Sequence, residues 1–126
     1  MSILGIGTDR VVIERVERSL NRFGDRFIRR IYTDAEHQQA LGKGNSVRRL
    51  AMLFAAKEAV SKALGTGFHQ GVTPKSIETI HQASGKPAIN LYGAARKRAD
   101  ALGVTQVHVS LTDDDGVAMA FAIAEL

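Results

Sequence analysis

In the run FAAKEAVSKALGTG, Phe54 to Gly67, a carboxylate and an amine stand four residues apart, Glu58 and Lys62. That is about one helical turn, so both lie on one helix face. Far upstream, GIGTD at Gly5–Asp9 places a second acid after two glycines. A hard cation such as Mg²⁺ takes one or two carboxylates and fills its other positions with waters and phosphate oxygens. Asp9 and Glu58, brought together by a fold, meet that requirement, and Lys62 is a cation for the phosphate. Small flanking residues (Ala55, Ala56, Ala59, Ser61, Ala63) permit close approach by backbone or ligand. Gly65-Thr66-Gly67 then ends the helix in a turn able to leave amides open to an anion. A helix C-terminus disfavours anions, so Lys62 or another cation has to offset it. The plainer alternative is an exposed ion pair between Glu58 and Lys62 worth about 0.2–0.5 kcal/mol, with Asp9 bonding turn amides. Spacing alone does not choose between them.

Other chemistries fit less well. GIG does not continue to the GxxG of a dinucleotide fingerprint, and no GK[ST] phosphate loop occurs. There are no cysteines, which removes disulfides and thiolate metal sites. No Ser, His and Asp recur at a spacing recognisable for acyl transfer. His108 and Ser110 alternate with Val107, Val109 and Leu111, which puts them on the polar face of a half-buried strand. Asp113, Asp114 and Asp115 lack the spaced acids and final Glu of a calcium loop and are expected in a hairpin turn with Gly116.

Net charge is +4 and the isoelectric point about 9.8. Seven arginines fall between Arg10 and Arg30. Arg15, Arg18, Arg22, Arg26 and Arg29 step by three or four, as along one face of a helical segment. Such a stripe suits a solvated face partly paired with Glu14, Glu17 and Asp25, or an acidic partner, or nucleic acid. Aromatics are not interleaved with it, so base stacking is poorly supported and no nucleic-acid partner is expected. The N-terminus lacks the pattern of a secretory leader and no run is long and apolar enough for a membrane span. The expected location is cytoplasmic.

These residues need elements to hold them. Ile3–Ile13 reads as a strand with a glycine irregularity, Glu14–Phe23 as a helix ending at Gly24. Thr33 and Glu36 form a capping box for a short helix to about Leu41. After the break at Gly42–Asn45, Ser46 is expected to cap a long helix with the apolar stripe Leu50, Leu53, Phe54, Val60 and Leu64. Ile77–His81 and Ala88–Leu91 are strands around the Ser84–Pro87 turn. Leu91–Leu102 reads as a helix ending at Gly103, and two strands around Asp113–Gly116 close the chain. The expected architecture is α+β, one domain over residues 1–126, with a mainly antiparallel sheet packed against the long helix.

Taken together, GIGTD, IERVE at Ile13–Glu17, FAAKEAVSKALGTG, GKP at Gly85–Pro87 and HVSLTD at His108–Asp113 resemble, in order and spacing, the holo-[acyl-carrier-protein] synthase family of the 4′-phosphopantetheinyl transferase superfamily. The resemblance runs nearly end to end, and the length is similar to the small bacterial trimeric type. It implies transfer of 4′-phosphopantetheine from coenzyme A to a serine of apo acyl carrier protein, for fatty acid biosynthesis, releasing adenosine 3′,5′-bisphosphate. It implies Asp9 and Glu58 as Mg²⁺ ligands and Lys62 as a diphosphate contact, with Asp9, Glu58 and Lys62 the catalytic set. Gly65, Thr66 and Gly67 would form part of the coenzyme pocket, with Lys86, Pro87 and His108 near its nucleotide end or contributed by the adjoining subunit. Sites would lie between subunits of a homotrimer. Glu58 or a metal-bound water would take the serine proton, and the acidic carrier protein would dock on the Arg15/Arg18/Arg22 face.

Some positions depart from the family pattern. Arg10 stands where an aliphatic residue is usual, and Val11 where doubled-type enzymes carry another acid. Met52 and Leu53 replace a basic pair, which can shift a phosphate or partner contact to Arg48 or Arg49. Phe54 replaces tryptophan as an aromatic core anchor. Two other classes stay open at this stage: a nucleic-acid-binding module, and an idle relative that binds coenzyme or carrier without transfer.

Overall fold

Helix α4 (Ser46–Ala63, 18 residues) runs through the middle of the molecule, and both sheets and the helices Ile13–Phe23 and Asp34–Leu41 pack around it. The computed structural model describes residues 2–42 and 44–126; Lys43, in the break before α4, lies outside them. Asn45 caps α4, its side chain accepting the Arg48 amide at 3.1 Å. Ser46 is therefore the first helical residue and not the cap, because the asparagine one position earlier already satisfies that orphan donor.

In chain order the elements are β1 (Ile3–Val12), α1 (Ile13–Phe23), α2 (Asp25–Ile31), α3 (Asp34–Leu41), α4, a 3₁₀ turn at Pro74–Ser76, β2 (Ile77–His81), β3 (Pro87–Leu91), α5 (Gly93–Leu102), β4 (Gln106–Asp114) and β5 (Val117–Glu125). The strands form two antiparallel sheets, β1-β5-β4 and the hairpin β2-β3. This is the expected α+β class. Leu91 closes β3, so α5 begins two residues later than its pattern suggests. Asp113 and Asp114 continue β4, and only Asp115 and Gly116, both at positive φ, make the turn.

Register explains the glycines of β1. Gly7 pairs with Ala122, Asp9 with Ala120 and Val11 with Ala118, so all share the face turned toward α4. Ala120, Ala122 and Ala124 are buried there against Ala55, Ala56, Ala59 and Ala63, and Ala118 against Leu50, Ala51 and Leu53. A Cβ on Gly7 would stand 1.8 Å from the Ala59 carbonyl oxygen, and one on Gly5 would stand 2.0 Å from that of Ala63. Neither distance is possible, so strand and helix touch backbone to backbone. Larger core residues close the other sides of α4. Val60, Leu64 and Ile77 are essentially fully buried, each such side chain contributing about 1.5–3 kcal/mol by leaving water.

A second cluster packs α1, α2 and α3 onto the first half of α4. Val16, Ile28, Tyr32, Leu50 and Leu53 form it, with the Tyr32 hydroxyl donating to the Leu50 carbonyl at 2.8 Å. The single arginine stripe does not form. Gly24, at φ 56° and ψ −131°, ends α1 and starts α2 in a new direction. Arg15, Arg18 and Arg22 remain exposed on α1, while Arg26 and Arg29 belong to α2.

Candidate active site

The two basic residues of the KEAVSK segment have opposite fates. Lys57 continues the apolar spacing Leu50–Leu53–Lys57–Val60–Leu64 and is fully buried. Its ammonium donates to Glu36 Oε1 at 2.6 Å and to the carbonyls of Pro74 and Ile77 at 2.8 and 2.6 Å. Desolvation pulls the lysine below its ordinary range, and the Glu36 carboxylate opposes that. The expected capping box at Thr33 and Glu36 is present; Glu36 in addition accepts the Thr79 amide. Sequence reasoning missed this pair, and the signal available was a lysine filling a gap in an apolar stripe.

Lys62 is half-exposed and reaches to β1, where Nζ donates to the Thr8 carbonyl at 3.0 Å and to Asp9 Oδ1 at 3.1 Å. Among the described residues no ion pair within 4.0 Å joins it to Glu58, so the simple exposed i,i+4 pair is not what forms. Asp9 and Glu58 share a cleft of about 340 Å³ with Val11, Arg15, Phe27 and Phe54. Asp9 also lines an adjoining cleft of about 540 Å³ with Lys62, Ser110, Thr112 and Phe121. Asp9 thus stands on the ridge between them. Burial raises the Glu58 carboxyl above its ordinary value, the nearby Asp9 charge adds to this, and Lys62 opposes it. A partly buried carboxylate with a second acid beside it is held at a cost that a divalent cation relieves. Among the described residues no group of three or more His, Cys, Asp or Glu converges. Two carboxylates open to a cleft suit Mg²⁺, which retains waters and binds phosphate oxygens, better than a metal needing a full protein cage. Phe54 is half-buried in this cleft wall and is not a core anchor.

The Gly65–Gly67 turn follows directly after α4, with Gly65 at φ +81° and Gly67 at φ +56°. Its amides are not open to an anion as the composition suggests. Gly65 donates to the Lys62 carbonyl, and Thr66 and Gly67 both donate to that of Ser61. What the turn offers a ligand is a surface with few side chains. Lys86, Pro87 and His108 are together, but elsewhere, in a cleft of about 230 Å³ between β3 and β4. His108 lies 3.3 Å from Glu125 on the outer sheet face. Of the two arginines named as substitutes for the missing basic pair, Arg48 is bound to Asp113 at 2.7 Å. Arg49 lines a cleft of about 550 Å³ with His81, Met52 and Leu53, and its buried Nε has no hydrogen-bond partner.

A family model described as the 4′-phosphopantetheinyl transferase superfamily matches residues 5–122. The holo-[acyl-carrier-protein] synthase of Halorhodospira halophila is 48% identical over 121 residues, covering 96% of each chain. The crystal structure of the Neisseria meningitidis holo-[acyl-carrier-protein] synthase superposes with a TM-score of 0.91 at 38% identity, covering 99% of this chain and 100% of that one. That of Helicobacter pylori, in complex with coenzyme A, gives a TM-score of 0.84 at 28% identity, covering 95% and 99%.

Proposed function

The chain belongs to the 4′-phosphopantetheinyl transferase superfamily, and from that premise we propose that it transfers 4′-phosphopantetheine from coenzyme A to a serine of an apo acyl carrier protein. The observation that carries this reading is the meeting of Asp9 and Glu58, with Lys62, where two clefts adjoin. A serine hydroxyl attacks the diphosphate phosphorus that bears pantetheine. The new Ser O–P bond forms as the bond to adenosine 3′,5′-bisphosphate breaks. Mg²⁺ held by Asp9 and Glu58 would neutralise diphosphate charge and make that phosphorus more electrophilic. Glu58 or a metal-bound water would take the hydroxyl proton, and Lys62 would stabilise the departing phosphate.

The outer face of β1-β5-β4 supports a composite site in a homotrimer. Ile6, Met119 and Phe121 are 56%, 37% and 43% exposed there, an apolar sheet face of the kind that subunits cover. Phe121 also lines the Asp9–Lys62 cleft. Lys86, Pro87, His108 and Arg49 would then meet the coenzyme's nucleotide end held by a neighbour. Exposed Arg15, Arg18 and Arg22 on α1 give an acidic carrier protein a docking face beside the cleft that Arg15 lines.

The test is intact mass of apo carrier proteins, of fatty-acid and polyketide types, after incubation with coenzyme A and Mg²⁺. Gain of one phosphopantetheine is expected, and no gain on any carrier contradicts the reading.

A further inference from the structure

We infer that the buried Glu36–Lys57 pair is a positioning device for Glu58, fixing the rotation of α4 so that this carboxylate faces Asp9. The inference rests on the role proposed above for Glu58. The three protons of the Lys57 ammonium meet acceptors from three separate elements: Glu36 on α3, Pro74 in the 3₁₀ turn and Ile77 at the start of β2. Glu36 is likewise satisfied, accepting the Thr33 and Thr79 amides at 2.9 Å each beside the ammonium. Three acceptors converging on one nitrogen fix it in all directions. Any rotation of α4 would leave a desolvated charge or carbonyl without its partner.

The opposite face of α4 is tied to the sheet by part-exposed side-chain bonds, Lys62 to Asp9 and Arg48 to Asp113, which solvent weakens. Gly5 and Gly7 meet Ala59 and Ala63 there, an almost featureless contact that sets the distance between strand and helix but interlocks few side chains. Successive helical residues are about 100° apart, so fixing the direction of Lys57 fixes that of Glu58. Stability alone does not require an ion pair at this place, since well-packed apolar residues often serve as well or better. An orientation to be maintained is a reason to have one.

The test compares wild type with Lys57→Met/Glu36→Gln, which removes the buried charge pair and leaves an amide oxygen able to accept from one of the backbone amides that Glu36 binds. Pro74→Gly is the milder second variant, loosening one acceptor without changing charge. Three quantities are read: kcat, KM for coenzyme A, and Mn²⁺ binding followed by electron paramagnetic resonance. The double variant is expected to unfold cooperatively, with kcat down about tenfold and Mn²⁺ bound about tenfold more weakly, as a displaced ligand requires. KM for coenzyme A should stay within about twofold, since the contacts of the Gly65–Gly67 turn are untouched. Pro74→Gly should move kcat and Mn²⁺ affinity in the same direction by about threefold. A folded double variant, or a Pro74→Gly protein if the double variant does not fold, with wild-type kcat and Mn²⁺ affinity overturns the inference. Loss of activity in proportion to unfolded protein, with unchanged Mn²⁺ affinity in the folded fraction, overturns it too. Failure of wild type to modify any carrier would strike the transfer reaction itself; the Mn²⁺ measurement still decides the positioning role.

Discussion

Lys57 and Glu58 are neighbours in the chain and opposites in the fold. On the Lys57 side of α4 the ammonium has three acceptors inside the protein, and the lysine is fully buried. On the Glu58 side two carboxylates and one amine open onto clefts, and burial together with the Asp9 charge raises the proton affinity of Glu58. One helix thus carries a polar cluster closed inside the protein and another that opens onto clefts. The difference teaches that charge on a helix identifies a site only when its partners are incomplete.

The largest effect that tests this contrast is on stability. Lys57→Met leaves Glu36 buried without its cation and should cost about 3–5 kcal/mol in urea unfolding. A loss under about 1 kcal/mol would place Lys57 with the ordinary surface charges. Glu58→Gln should do the reverse, slowing phosphopantetheine transfer roughly 10²–10³-fold while unfolding as cooperatively as wild type. Near-normal turnover would remove Glu58 from the mechanism.

Gly7→Ala sharpens the comparison from the β1 side. Its Cβ would meet the Ala59 carbonyl oxygen at 1.8 Å, and forcing strand from helix should cost about 1–3 kcal/mol or more and carry Asp9 away from Glu58. An unaltered melting temperature and turnover would show that the close contact is dispensable.

The smallest effect is one of pH. The Glu58 carboxyl binds its proton more tightly folded than unfolded. The stability this contributes is full below the ordinary glutamate range and is lost as pH rises through the raised folded value. In the metal-free protein, Glu58→Gln should therefore gain on wild type between acid and neutral pH, and the opposite trend would refute the raised proton affinity of Glu58.

Much of this arrangement was legible in the sequence. Strand and helix periods located β1, α4 and the closing hairpin, because apolar spacing reports which face is buried. Asp9, Glu58 and Lys62 stood out because few residue sets meet the needs of a cation and a diphosphate. Other features depended on contacts between distant segments. The Thr33–Glu36 box announced a helix start, but nothing local says that Glu36 also receives Lys57 and Thr79. Gly5 and Gly7 read as a strand irregularity, whereas their reason lies in Ala59 and Ala63 more than fifty residues away. The arginine stripe failed at Gly24, where one residue at positive φ redirects the chain. The Gly65–Gly67 amides were expected to be open, yet the helix end takes all three.

The central claim is that Asp9 and Glu58 act as one divalent-cation site. Titrating Mg²⁺ calorimetrically into the coenzyme A complexes of wild type, Asp9→Asn and Glu58→Gln tests it most directly. Binding in wild type that is lost in both variants is the predicted result; a variant that binds Mg²⁺ as tightly as wild type would contradict it.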